Sequence, residues 1–329
     1  MTMTEALLTP KVDINAARER ISAYLTPTPL IRSEHYSQRL GANVYFKLEM
    51  LNPTHSFKPR GALNAVLALT KAQLQRGVIG ASAGNHGLGL SYAGSRLGVP
   101  VEIYLPTYAL QTFLDAIELL GAQIILFGDS WDAANQRAME VAQETNRPYI
   151  HPFDDPHVVA GQATVGAEIL DQIDHVDTLV ASIGGGGLIS GLISAFQHDS
   201  PETAIWGVET KGVDSMAQSI RHGSRIELAE LTSIAKSLGA KRVGERMFEL
   251  VSRYVEDVVV MTDAQAVDAL FELLNYEKLL VEPATACGLA ALTDGQIPVR
   301  AGSNVVVVIC GANVSLEDVL TYQQMYMSP

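Results

Sequence analysis

Cysteine is nearly missing from this chain of 329 residues, which carries only Cys287 and Cys310. Two thiols could pair once, but they cannot staple a fold, so a disulfide framework is excluded. Positive charge is also short, with 23 Lys and Arg against 36 Asp and Glu and a formal net charge of −13. A surface of that sign repels phosphate backbones, so no nucleic-acid partner is expected. No apolar run approaches the roughly 18 residues of a membrane span, so no membrane partner is expected either. Residues 1–10 lack the basic, apolar and small-residue order of a secretory leader, and a cytoplasmic protein is expected. What is plentiful is apolar and small: 47% hydrophobic residues and 27 glycines. That is enough for a sizeable core in one large or two medium domains.

Apolar strands alternate with helical runs along most of the chain. The alternating run Val44, Phe46, Leu48 reads as a buried strand that breaks at Asn52-Pro53. Short strands are expected at 78–81, 101–105, 123–127, 178–183, 204–208, 258–261 and 305–309. Helices are expected between them, at 62–69, 88–97, 109–120, 131–144, around 167–170, and at 188–196, 213–221 and 264–276. A first helix over 14–24 takes Asp13 as its cap, and Ser315 with Asp318 forms a capping box for the closing helix. This order is the mark of parallel α/β architecture. No linker or repeat divides it, so two domains, if present, are interwoven.

Three strand-to-helix junctions carry residues with chemistry. In Ser56-Phe57-Lys58-Pro59-Arg60-Gly61-Ala62 a lysine precedes a proline suited to a first helical turn. The helix dipole there disfavours the protonated amine, and a partly neutral lysine is a nucleophile toward carbonyls. Taken alone it reads equally as a solvated surface lysine. Gly184-Gly185-Gly186-Gly187-Leu188 follows a buried strand, and glycines let backbone N–H groups converge on an anion. A tight turn needs fewer than four glycines, which favours phosphate. In Ser82-Ala83-Gly84-Asn85-His86-Gly87, backbone amides suit a carboxylate and Asn85 can donate to a ring oxygen, or the loop is simply a helix cap. Cys310-Gly311-Ala312-Asn313 follows a fourth apolar strand, where ligands of open α/β sheets gather. Its cysteine reads as packing or as part of a site. The His151–His157 stretch holds two histidines, two aspartates and two prolines, and reads as a rigid loop rather than a metal site. A lysine, an asparagine and a phosphate cradle together suit an aldehyde cofactor bearing a phosphate, pyridoxal 5'-phosphate.

On these motifs the sequence resembles the fold type II pyridoxal-phosphate enzymes related to tryptophan synthase β, in the branch of serine/threonine dehydratases and serine racemases. Residues 56–62 match the family's S-F-K-x-R-G-A motif, residues 82–87 its S-x-G-N-H-G loop, and 184–188 its phosphate loop. The resemblance spans about 25–313, and it also takes in Glu282-Pro283-Ala284. It implies two interwoven three-layer αβα domains with mostly parallel sheets: a large cofactor-binding domain of 1–50 plus 146–329, and a small domain of 51–145. It implies a homodimer, and an elimination of water from a β-hydroxy amino acid to give a 2-oxo acid and ammonia. Lys58 would be the Schiff-base lysine and the base, Phe57 would pack beside the ring, and Asn85 would bond its phenolic oxygen. Cys310 would face the pyridine nitrogen, with Glu282 near that end. Ser82, Ala83, Gly84, Asn85 and His86 would meet the substrate.

Departures from the family pattern shape the expectation. Racemases carry a serine where this chain has Ala83, which has no proton to exchange, and that favours elimination over racemisation. His55 stands where glycine is commoner and is a candidate substrate contact. Leu88 and Phe113 replace a common glutamine and lysine. A divalent cation, Mg²⁺ or Ca²⁺, is implied at Glu209, Val213 and Ser215, although serine stands for the expected aspartate and Asp214 is its neighbour. Only 314–329 follow the last motif, so no C-terminal regulatory domain is expected. The alternatives are a racemase, a hydroxyaspartate- or phenylserine-type dehydratase, and a non-catalytic amino-acid-binding relative.

Overall fold

The computed structural model describes residues 13–82 and 84–326. Ala83 lies outside the described residues, and so does the expected leader-free segment 1–10.

Among the described residues, nine strands form two sheets. β1 (Leu30–Ser33), β2 (Asn43–Lys47), β6 (Thr178–Ser182), β7 (Ala204–Thr210), β8 (Asp257–Met261) and β9 (Asn304–Val308) make a six-stranded sheet in the order β1-β2-β9-β6-β7-β8. β3 (Val78–Ala81), β4 (Val101–Leu105) and β5 (Gln123–Leu126) make a three-stranded parallel sheet. In the larger sheet only β1 runs antiparallel, against β2. The central strands are continuous apolar runs, all five residues buried in β6 and Val305–Val308 buried in β9, because helices cover both faces of a parallel sheet. The fold is thus α/β with mostly parallel sheets.

Chain order explains where a ligand can enter. β6, β7 and β8 step outward in one direction, and β9 then returns to the other side of β6. The carboxyl ends of β6 and β9 therefore flank a topological switch point, where a crevice opens. Ser182 ends β6 and the glycine run follows it; Val308 ends β9 and Cys310 follows two residues on. The segment after β2 leads to Lys58, and β2 is hydrogen-bonded to β9. The Ser82 loop leaves β3 of the smaller sheet.

Two helices begin earlier than the apolar pattern placed them. The helix Lys58–Leu67 starts at Lys58 itself, with Pro59 in its first turn, and the helix Asn85–Leu97 starts at Asn85. The first helix is shorter than expected, Ile14–Ile21, but Asp13 caps it through Ala16 N–H. Ser315 and Asp318 exchange the two hydrogen bonds of a capping box. The helix Pro156–Gln172 is longer than the sequence suggested, and Asp155 caps it. Its middle residues are buried all round, so no amphipathic period betrays it. It crosses Lys58–Leu67 at Gly161 and Gly61 in backbone contact, an approach that any side chain there would block.

Candidate active site

Lys58 is anchored from three sides. Pro59 fixes the first turn of its helix. A Cβ on Gly89 would stand 2.9 Å from the Lys58 carbonyl carbon, so the helix after the Ser82 loop lies directly against the lysine's backbone. On the third side the approach loop pairs with the segment after β9: Ser56 bridges Gly311, Phe57 N–H donates to Cys310 O at 3.1 Å, and Ala312 N–H donates to His55 O at 2.9 Å. The lysine Nζ donates to Pro152 O at 3.0 Å and lies 5.0 Å from the centre of the Phe57 ring. Burial lowers its pKa to about 8, against the raising influence of Cys310 and Glu282. A lysine so placed is free amine to a far greater extent near neutral pH than an ordinary lysine is.

His55 is exposed and has φ +54°, the left-handed region that side chains rarely adopt. That backbone conformation is the physical reason for a glycine at this position. In this chain a histidine accepts the strain.

The glycine run is a cradle closed by its neighbours. Gly186 has φ +93° and leads into the helix Gly187–Asp199. A Cβ on Gly185 would enter the Phe153 ring, and one on Gly187 would stand 2.9 Å from Phe153 Cβ. Leu188 is buried beneath the turn. The Pro152-Phe153 segment, read from the sequence as a rigid loop, therefore serves both the lysine and the cradle. His151 belongs to the same loop, where its Nδ1 accepts from Phe153 and Asp154 N–H. Burial and the nearby Lys58 charge lower its pKa to about 4, so it is neutral.

At the third junction Ser82 is a brace. Its Oγ accepts from Gly84 N–H at 2.9 Å and Gly87 N–H at 2.8 Å and donates to Gly84 O. Phe113 packs over Gly84, its ring 3.1 Å from where a Cβ would be. His86 is buried, with Nε2 3.0 Å from Ile150 O, and burial takes its pKa to about 3. Asn85 points the other way: Nδ2 donates to Glu282 Oε1 at 2.9 Å and Oδ1 accepts from Asn313 Nδ2 at 2.6 Å.

Cys310 completes the floor. Its Sγ is 3.1 Å from Thr285 Oγ1 and 3.7 Å from Ser182 Oγ, and burial pushes the thiol up to about 11. Cys287 is buried on the neighbouring helix Pro283–Thr293, and both thiols are free, so the pairing left open by the sequence does not occur. Glu282 lies by Asn85 rather than only at the Cys310 end, and burial raises its carboxyl against hydrogen bonds from Ser237, Asn85 and Asn313. The sequence reading missed Thr285, Pro152 O and Asn313 as participants. Thr285 sits three residues after Glu282 in a helix otherwise built of small apolar residues, and that spacing was the available signal.

The positions implied for a cation are arranged differently. Glu209 is fully buried, and its two carboxylate oxygens accept backbone N–H from Met216 and Ala217, at 3.1 and 2.8 Å. Burial raises its pKa to about 8. Asp214 is turned to Gly212 N–H and Gln218, and Ser215 Oγ is buried without a partner. Among the described residues no cluster of three or more His, Cys, Asp or Glu could hold a metal.

Comparison with known proteins shows the family. Residues 21–311 match the family described as pyridoxal-phosphate dependent enzyme. The L-threonine ammonia-lyase of Thermotoga maritima is 37% identical over 304 residues, covering 92% of this chain and 75% of that protein. The processed form of threonine deaminase isoform 2 from Solanum lycopersicum superposes with a TM-score of 0.92 at 32% identity, covering 98% of this chain and 94% of that one. Maize serine racemase superposes with a TM-score of 0.89 at 33% identity, covering 96% and 97%.

Proposed function

Because the chain belongs to the pyridoxal-phosphate dependent enzymes, we propose that it is an ammonia-lyase that eliminates water from a β-hydroxy amino acid of the threonine or serine type. The products are a 2-oxo acid and ammonia. The observation that carries this reading is that the loop of a lysine lowered to about 8 pairs with the segment of a thiol raised to about 11, while Pro152-Phe153 joins that lysine to a glycine run at a helix N-terminus.

These residues fit the cofactor by their chemistry. Lys58 would hold it covalently, the N–H groups of Gly184, Gly185, Gly186, Gly187 and Leu188 would take its phosphate, Phe57 would flank its ring, and Asn85 would meet the ring oxygen. Bound there, the cofactor supplies an electron sink for the substrate's α-carbon. Cys310 would face the ring nitrogen as a neutral thiol, which cannot hold a positive nitrogen as a carboxylate would. That tempers electron withdrawal and favours elimination over transamination. The first turn of Asn85–Leu97, with Ser82, Gly84 and His86, would receive the substrate carboxylate at the positive end of its dipole. The Lys58 amine would take the α-proton.

The likeness to a serine racemase makes racemisation the competing reading. Alanine at position 83 supplies no hydroxyl for the opposite face of the substrate. The test is one panel: serine, threonine, phenylserine and hydroxyaspartate isomers, assayed for 2-oxo acid and for inverted amino acid. 2-Oxo acid from threonine or serine is expected; inversion without 2-oxo acid would replace this reading by the racemase. The same reading includes a homodimer, checked by sedimentation, and the division into 1–50 plus 146–329 and 51–145, checked by limited proteolysis. A cation at Glu209, Val213 and Ser215 would have to displace two amide hydrogen bonds and ionise Glu209. Titration with Mg²⁺ or Ca²⁺, read by thermal stability, checks it.

A further inference from the structure

The segment after β9 does more than carry Cys310. A Cβ on Gly311 would stand 2.6 Å from Glu282 Oε1, so glycine there lets the Glu282 carboxylate lie against the chain. Ala312 N–H holds the lysine's approach loop. Asn313 makes three hydrogen bonds: its backbone N–H donates to Glu282 Oε1 at 3.0 Å, and Nδ2 faces both Thr54 O at 2.9 Å and Asn85 Oδ1 at 2.6 Å.

The direction of these bonds is fixed by a group that cannot turn round. Thr54 O is a backbone carbonyl and only accepts, so the Asn313 atom facing it is the amide nitrogen. Its second hydrogen goes to Asn85, which must therefore present its oxygen to Asn313. The other end of the Asn85 amide is then the nitrogen, and it donates to Glu282 Oε1, an oxygen that already accepts from the Asn313 backbone. Asn85 Nδ2 has two hydrogens and this ring uses one, which leaves the other able to donate to a ligand.

We propose that Asn313 is a positioning residue that sets the polarity of the Asn85 amide, so that Asn85 meets the cofactor ring as a hydrogen-bond donor and never as an acceptor. The proposal rests on the reading of Asn85 as the partner of the ring oxygen. Thr54 O supplies the reference direction, Asn313 transmits it, and Glu282 receives the other end. A donor at that point favours the ionised ring oxygen, which is the form that accepts.

The experiment uses the full-length protein loaded with pyridoxal phosphate, as wild type and as Asn313→Asp, Asn313→Ala and Asn85→Asp. Three quantities are read: the dissociation constant for pyridoxal phosphate, the pH at which the bound cofactor's visible absorption changes, and the melting temperature without cofactor. An aspartate at 313 cannot donate, so the Asn85 amide turns. The dissociation constant should then rise about tenfold, the scale of one lost hydrogen bond. The absorption change should move about one pH unit upward. Asn313→Ala, which leaves the amide free to turn, should shift both in the same direction by less. Asn85→Asp should match or exceed Asn313→Asp. Wild-type binding and absorption in both Asn313 variants, with Asn85→Asp altered, would overturn the positioning role and leave the site reading intact. Wild-type behaviour in all three would remove Asn85 from the cofactor altogether. A lowered melting temperature with an unmoved absorption change would reduce Asn313 to a structural residue and also defeat the proposal.

Discussion

Lys58 and Arg60 stand two residues apart on one helix, and the protein treats their charges in opposite ways. Burial acts against the cation at both. At Lys58 it prevails, and the amine falls to about 8. At Arg60 it is overcome by Glu49 and Glu168. Glu49 meets Nε and Nη2 at 2.7 and 2.9 Å; Glu168 meets Nη1 and Nη2 at 2.6 and 2.7 Å, so the fully buried guanidinium has two bidentate partners. Lys47 joins them through Glu168 at 2.7 Å, so two cations balance two anions beneath the site. Burial raises the Glu168 carboxyl, but the Arg60 and Lys47 contacts bring it below its ordinary value. The difference lies in geometry: Lys58 has a carbonyl for a partner, and Arg60 has carboxylates. Charges paired with carboxylates tie the helix to β2 and to Pro156–Gln172; the amine that has only a carbonyl is left easier to deprotonate.

Substitution can break this contrast or sharpen it. The largest effect falls on Lys58→Ala, which should lower 2-oxo acid release from threonine or serine about 10³-fold or more while the chain still folds. Full activity in that variant would end the reading of Lys58 as the reacting amine. Arg60→Met strands two buried carboxylates and should cost about 3–5 kcal/mol of unfolding free energy in urea. Lys58→Met, which removes a charge that lacked an anion, should cost the cofactor-free protein far less. Equal losses in the two would show that the contrast is wrong. A third check is pH. Because the folded lysine releases its proton at about 8 and an ordinary lysine at 10.5, the unfolded chain binds more protons across that interval. Stability of the cofactor-free wild type should therefore rise with pH from about 8 to 10.5 relative to Lys58→Met, and a falling difference would reverse the sign claimed for burial. Cys310→Ser keeps a neutral group at the ring nitrogen's side and should hold kcat within about tenfold, whereas Cys310→Asp should lose more. The smallest effect is on the lysine's approach: His55→Gly relieves a left-handed backbone and should add about 1 kcal/mol, seen as a higher urea midpoint.

The site was legible where chemistry is written in contiguous motifs at strand ends. Lys58, Asn85 and the glycine run could be found because each sits where an apolar strand gives way to a helix, and the alternation itself revealed the parallel α/β fold. What could not be read depends on pairings between distant residues. Arg60 and Glu168 look like surface charges by type, and only packing brings them together. The same holds for Asn313 with Asn85, and for Glu209, whose carboxylate caps the next helix through Met216 and Ala217 N–H. The helix start at Asn85 was missed because its first turn, Asn85-His86-Gly87, is polar and small, whereas Pro59 marked the start beside Lys58.

The pairing of β2 with β9 has a consequence for how the chain is made. Lys58 emerges from the ribosome about 250 residues before Cys310. Until β9 arrives, β2 has only its antiparallel partner β1 and an open edge. Every strand of the smaller sheet can fold in that interval, but the crevice cannot, because its floor and the brace of Asn85 come from the last strand and the residues after it. At the proposed site, cofactor capture would therefore follow the synthesis of β9, late in the growth of the chain.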